Sequence, residues 1–343
     1  MTDDLMKTKA TASEAVDLTE REPVTRVLLL GGVGALPDGA PRVDAALSEA
    51  IDAHDLRIFA LHADNPAAAA WLGQNGADVV SLAGMRGERL DETAAALGGA
   101  RGIGAGRTEA LANAPFVTCS GDVRVGVLAY GEQPAGGFNR RADILGLMAY
   151  DQVRMLLSQC DHVIVLLRAG LTGAKLPLPE WRDRYRRLID AGASVVVDTG
   201  AAKGWETYKN GLVFYGLGAP EAGDSLFLSL TLGQNGAMRY ETRALEYASG
   251  ELRFSANDAF KTEINEQNKL YLDGAAYLSA ADELCLRYYG EQEQPQRKGV
   301  FQAILPGKSE AARREEEKKR YALLGDESRR LMTLRALRQK LGD

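Results

Sequence analysis

Histidine is scarce in this chain, with three in 343 residues, at His54, His62 and His162. A two-metal hydrolase needs several His, Asp, Glu or Asn ligands converging at strand ends, so the shortage limits that chemistry before any motif is read. Cysteine is equally rare. Cys119, Cys160 and Cys285 are isolated, an odd number with neither CxxC nor another metal-ligand spacing, and are expected to be reduced and mainly structural. No apolar run is long enough to span a bilayer, and the opening MTDDLMKTKATASEAVDLTEREPVT lacks the apolar centre of a signal peptide. A cytoplasmic location is therefore expected. Basic residues are not in excess: 41 Lys and Arg against 47 Asp and Glu give a net charge of -6. Phosphate backbones call for a basic surface, so a nucleic-acid partner is not expected. Hydrolysis by a serine triad finds no Gly-x-Ser-x-Gly elbow, and no cysteine stands in a nucleophile context.

What is present is the composition of an ordinary globular chain, 45% apolar and 26% charged. Short apolar runs recur: Arg26 to Gly31, Leu56 to Leu61, Ala77 to Leu82, Arg124 to Tyr130, His162 to Leu167, Ser194 to Val197 and Leu212 to Tyr215. Each reads as a strand buried on both faces. Segments of helical period lie between several of them: Arg42 to Ala53, Ala67 to Asn75, Asp91 to Leu97, Asp151 to Gln159 and Leu178 to Asp190. The alternation predicts a layered α/β fold with a largely parallel or mixed sheet. Ser225 to Leu245 reads as a hairpin turning at Gly-Gln-Asn-Gly, and Asn257 to Tyr289 as helix. The divisions expected are a polar tail over 1–25, the α/β domain over 26–255, a helical extension over 256–305 and a charged C-terminal helix over 306–343. In that last helix Glu315/Lys319 and Glu316/Arg320 form i,i+4 pairs, and the simplest reading is a solvated helix. Its Leu331, Leu334, Leu337 and Leu341 offer the alternative of docking on a protein partner.

Three short motifs suggest chemistry, and each has a plainer reading. Ser120-Gly-Asp-Val123 could present a metal-binding carboxylate, but it sits between two strand-like runs and is better explained as a hairpin turn. Gly102-Ile-Gly-Ala-Gly-Arg107 lacks the third glycine of a dinucleotide fingerprint and is read as turn glycines. Gly31 to Gly39 lacks the Gly-Lys-Ser/Thr ending of a phosphate loop, although its backbone amides could still cradle an anion. The histidines also fall at unhelpful places. His162 opens its strand while Arg168 closes it, so roughly 20 Å separates those two ends at about 3.3 Å per residue. Only His62 follows a strand's carboxyl end, where open α/β sheets place their sites.

Taken together, five spaced segments resemble the CapA family of poly-γ-glutamate capsule synthesis proteins. They are GADVVSLA at Gly76 to Ala83, Gly104 to Arg107, VGVLAY at Val125 to Tyr130, LIDAGA at Leu188 to Ala193, and ETYKNGLVFYGLG at Glu206 to Gly218. They follow the family's order over roughly residues 26–250. The resemblance implies a metallophosphatase-like α/β/β/α sandwich, here with a helical C-terminal extension, and a divalent-metal site at the strand ends.

The ligand motifs depart from that pattern. Where the family's first strand ends in Gly-Asp, this chain has Gly31-Gly32, and where it has Asn-Leu-Glu, this chain has Ala60-Leu61-His62. Leu82-Ala-Gly-Met-Arg86 replaces Leu-Ala-Asn-Asn-His, and Arg168-Ala-Gly170 replaces His-Trp-Gly. Asp198 to Lys203 stands in for Gly-His-His-Pro-His, and Leu217-Gly-Ala-Pro220 for Leu-Gly-Asn-Phe. The expectation is therefore a protein without a bound metal or other cofactor, a pseudo-metallophosphatase acting in binding or assembly for capsule or a similar extracellular polymer.

Arg86 and Arg168 become candidates for holding a carboxylate or phosphate in fork geometry. The plainer alternative pairs them with Asp198, Asp91 or other acids. A second reading keeps an altered hydrolase, for phosphate esters or γ-glutamyl bonds, with His62 and Asp198 as candidate catalytic groups. A third makes the pocket a sensor of a small anion, with the C-terminal helix as the partner contact.

Overall fold

The computed structural model describes residues 24–34, 36, 41–85, 89–132, 148–256, 258–300, 314 and 325–342. In chain order the first half comprises β1 (Val24–Val33), β2 (Arg42–Val43), α1 (Ala45–Asp52), β3 (Leu56–Leu61), α2 (Pro66–Gln74), β4 (Val79–Ser81), α3 (Leu90–Ala95), β5 (Arg101–Ile103), α4 (Glu109–Ala112), β6 (Phe116–Ser120) and β7 (Val123–Gly131). The second comprises α5 (Met148–Leu157), β8 (His162–Arg168), α6 (Pro179–Asp190), β9 (Val195–Asp198), β10 (Trp205–Tyr208), β11 (Gly211–Phe214), β12 (Ser225–Gly233), β13 (Met238–Ala248), β14 (Glu251–Phe254), α7 (Asp258–Leu272), α8 (Gly274–Val300) and α9 (Glu327–Leu341).

These strands form two mixed sheets. One has eight strands in the order β2-β14-β13-β12-β1-β3-β4-β5, and the other has six in the order β10-β11-β9-β8-β7-β6. β1, β3, β4 and β5 run parallel, as do β7, β8, β9 and β11. Continuous apolar runs make this possible, because strands covered on both faces have no solvated side to fill with polar residues.

Three apolar clusters mark the layers. Between the sheets, Val27, Leu29 and Ile58 meet Val125, Ile164 and Val197. Outside the larger sheet, Leu28, Phe59 and Val80 meet Leu47 of α1 and Trp71 and Leu72 of α2. Outside the smaller sheet, Val163, Val165 and Tyr215 meet Val153 of α5, Trp181 and Tyr185 of α6, and Tyr277 and Cys285 of α8. The result is the α/β/β/α layering of the metallophosphatase-like sandwich.

Local chemistry sets the element ends. Asp44 caps α1 through the Leu47 amide at 2.7 Å, and Asn65 caps α2 ahead of Pro66. Gly121 and Asp122 form the β6–β7 turn with φ of 54° and 66°. The Gly-Asp motif is thus a hairpin corner, as a primed turn requires, and Gly102 and Ile103 lie in β5 ahead of a turn at Gly104.

The C-terminal helix differs from a solvated one. Ser328, Met332 and Ala336 of α9 are buried, and Met332 and Ala336 join the cluster outside the smaller sheet. Arg184 meets Glu327 at 2.8 Å, and Arg335 meets Asp282 at 2.6 Å and Glu180 at 3.2 Å, fixing α9 to α6 and α8. Of the leucines singled out in the sequence, Leu331 is partly buried on this core, whereas Leu334, Leu337 and Leu341 are exposed. The leucine stripe is the conspicuous feature of the sequence, but the buried side chains are Met332 and Ala336, one position from Leu331 and Leu337. The pairs Glu315/Lys319 and Glu316/Arg320 lie outside the described residues.

Candidate functional site

The carboxyl ends of the parallel strands of both sheets come together at one edge. The Gly32 amide, near the end of β1, donates to the Thr199 carbonyl after β9 at 3.0 Å. His62, immediately after β3, shares a 2.9 Å hydrogen bond between Nε2 and Thr199 Oγ1. Its ring lies over Gly32, where an added Cβ would fall 1.8 Å from Nε2. Only glycine leaves room for the imidazole there.

The corner after β4 serves Arg168 in the same way. Gly84 has a φ of 70°, and a Cβ on it would fall 2.6 Å from Arg168 Cγ. Arg168, at the end of β8, reaches past Gly84 with no hydrogen-bond or ion-pair partner for its guanidinium among the described residues. Among the described residues it forms no ion pair with Asp198 or Asp91, although Asp198 lies near it across Gly200. Asp91 pairs with Arg107 at 3.3 Å. Asp198 accepts from the Tyr185 hydroxyl at 2.5 Å and from the Gly200 amide at 2.6 Å. Arg86 lies outside the described residues.

Lys203 is a site residue that the sequence pattern did not single out. It is only 3% exposed, and its Nζ donates to the Tyr215 carbonyl at 3.3 Å. Around Gly200 the charges gather: a Cβ there would lie 2.6 Å from Arg168 Nη1, 2.9 Å from Asp198 Oδ1 and 3.8 Å from Lys203 Nζ. Burial lowers the Lys203 ammonium's pKa, with Asp198 opposing and Arg168 adding to the effect. Burial also holds His62 well below the ordinary histidine value, and repulsion from Arg168 and Lys203 pushes it further down. His62 is therefore neutral near pH 7. The signal that could have revealed Lys203 is a lone lysine inside the apolar stretch between β9 and β10.

Above these groups opens a cavity of about 500 Å³. His62, Gly84, Glu132, Arg168 and Thr172 line it from the strand edge, and Tyr288, Glu291, Asp326 and Arg329 line it from the helical extension. Asp198 lies beneath this wall, 1% exposed, so the two candidate catalytic groups are not brought to one surface. Glu132, the residue after β7, carries a clamp. Its carboxylate accepts from the Ser328 amide and hydroxyl, each at 2.6 Å, and from the Gly170 amide at 3.1 Å. Ser328 Oγ in turn accepts from Trp181 Nε1 at 2.8 Å. Burial raises the Glu132 carboxyl's pKa, and those donors limit the rise.

The glycine-rich stretch after β1 finds an internal anion. The Gly34 amide donates to Glu221 Oε1 at 2.5 Å; Ala35 and residues 37–40 lie outside the described residues. Elsewhere His54 and His162 are structural. His54 bridges the Ala50 carbonyl and Ser229, and His162 bridges Ser194 and the Gly233 carbonyl. Among the described residues, no group of three or more His, Cys, Asp or Glu side chains is placed to hold a metal ion. No helix among them is long and apolar enough to cross a membrane.

The layers and the strand-edge site define a metallophosphatase-like α/β/β/α protein. Within it, residues 50–219 match the family model described as bacterial capsule synthesis protein PGA_cap. No curated protein matches the chain. Among solved structures, a hypothetical protein from Thermus thermophilus is similar at 16% identity and a TM-score of 0.42, over 65% of this chain and 100% of that one. A phosphatase from Mycoplasma pneumoniae is similar at 10% identity and 0.44, over 70% and 97%. A putative 5'-nucleotidase from Staphylococcus aureus in complex with alpha-ketoglutarate is similar at 10% and 0.45, over 71% and 58%.

Proposed function

We propose that this protein is a binding or assembly component of capsule or extracellular polymer biosynthesis, of the poly-γ-glutamate type, working without a dinuclear metal centre. The observation that carries this reading is the Arg168 guanidinium on the cavity wall, without a hydrogen-bond or ion-pair partner among the described residues, where the family resemblance places a metal ligand. The donors beside it do not suit a divalent ion. Asp198 spends both carboxylate oxygens on Tyr185 and Gly200, His62 is engaged by Thr199, and two cations stand next to them. A guanidinium free to fork onto two oxygens suits a carboxylate or phosphate instead. The exposed Leu334, Leu337 and Leu341 of α9 are the surface we assign to a protein partner.

Metal analysis of protein purified without chelator tests the reading. Less than a tenth of an equivalent of Mn, Fe or Zn is expected, as a rough threshold for a site with no complete ligand set. A stoichiometric ion that is lost on replacing His62 or Asp198 with alanine would overturn it. Turnover of phosphate esters or γ-glutamyl peptides that vanishes in His62→Ala would instead favour an altered hydrolase.

A further inference from the structure

We propose that Arg329, in the first turn of α9, is the second cationic arm of this anion site, so that the C-terminal helix forms part of the binding pocket. The inference rests on the reading of Arg168 given above. Arg168 and Arg329 line the same cavity of about 500 Å³. The Arg329 side chain is 49% exposed, and its ionic contact is a long one, with Nε 3.9 Å from Asp326 Oδ2. That is well beyond the roughly 2.7–2.9 Å of a charge-assisted hydrogen bond, so most of its donor capacity is available to a ligand.

Its position is fixed by the same residue that fixes Arg168. The Glu132 amide donates to the Arg168 carbonyl at 2.9 Å, while the Glu132 carboxylate receives the Ser328 amide at 2.6 Å. One residue thus ties the carrier of the first guanidinium to the neighbour of the second. Among the described residues Glu132 forms no ion pair with either guanidinium; its oxygens accept from Ser328 and Gly170.

The acids on the rim set the ligand's size. Glu291 and Asp326 share the wall with the arginines, so an extended polyanion meets repulsion where a single anionic group does not. The ligand class is one phosphate or carboxylate group, free or at the end of a longer molecule.

Calorimetric titration of the full chain with inorganic phosphate and with succinate tests this and separates the two chemistries. Wild-type protein is expected to bind at least one of them, and Arg329→Gln to weaken it by about tenfold, the factor of one hydrogen bond to a charged group. Arg338→Gln, at an exposed position of the same helix away from the cavity, is expected to bind as wild type. Should Arg329→Gln undock α9, seen as a red shift in tryptophan emission, Arg329→Lys decides, with affinity weakened about threefold in a docked helix, as half of that energy implies. Wild-type affinity in both Arg329 variants, with loss in Arg168→Gln, would overturn the role of the helix and leave the anion site standing. No binding of either probe by wild-type protein would remove both.

Discussion

His62 and Gly32 form a pair in which one residue's size is set by the absence of the other's Cβ. Gly32→Ala puts a methyl group inside the imidazole ring, and overpacking of this kind costs about 1–3 kcal/mol. Urea denaturation should show that loss, and the double variant Gly32→Ala/His62→Ala should recover part of it. Tyr185→Phe poses the complementary case of a missing donor. It leaves Asp198 buried with the Gly200 amide but without its hydroxyl, a loss of about 1–3 kcal/mol, read as a lower unfolding midpoint. The sequence made His62, Asp198 and Arg168 legible because each ends or directly follows a strand. It concealed that Asp198 faces inward to Tyr185, since that contact joins two elements whose packing no local pattern encodes. Lys203 was hidden for the same reason: its burial comes from Tyr215 and its neighbours in space.

At the scale of elements, α9 shows how an exposed-looking helix becomes part of a core. Met332→Asp should unseat it, because the side chain is fully buried beside Trp181's cluster. An unpaired charge there costs several kcal/mol. Leu337→Asp should change stability by no more than about 0.5 kcal/mol. Thermal unfolding of the two variants side by side distinguishes the buried face from the open one, and comparable losses in both would contradict the orientation described. The strands were readable from their apolar runs, and the helices of the first half from their period. The docking of α9 was not, because a helix rich in Arg and Glu hides its narrow apolar strip, and Ser328 supplies hydrogen bonds in place of bulk.

Across the whole molecule, acid sensitivity follows from a few buried groups. Burial lowers the pKa of His54, His62 and His162 from the ordinary 6.5, with Arg168 and Lys203 adding to the shift at His62. The unfolded chain therefore takes up protons near pH 6.5 while the native one does not. Stability contributed by these neutral histidines is complete above about pH 6.5 and declines as pH falls below it. Glu206 is buried, which opposes its ionisation, yet hydrogen bonds from Arg186, Arg182 and Tyr215 hold its pKa below 4.5. Its contribution is lost only at still lower pH. Glu132 and Glu221, raised by burial, act in the opposite sense between their own values and 4.5. The urea midpoint should fall between pH 7.5 and 5.5, and the fall should shrink in His62→Gln; a flat profile would contradict the histidine assignment.

The clamp between Glu132 and Ser328 spans 196 residues of sequence. β1, central in the larger sheet, likewise pairs with β12, whose Gly233 lies opposite Val24. During synthesis, then, the larger sheet stays split until residue 233 has emerged, and the cavity lacks a wall until residues 326–329 follow. The cavity is in this way assembled late: a nascent or C-terminally clipped copy carries Arg168 without the wall that Asp326 and Arg329 supply.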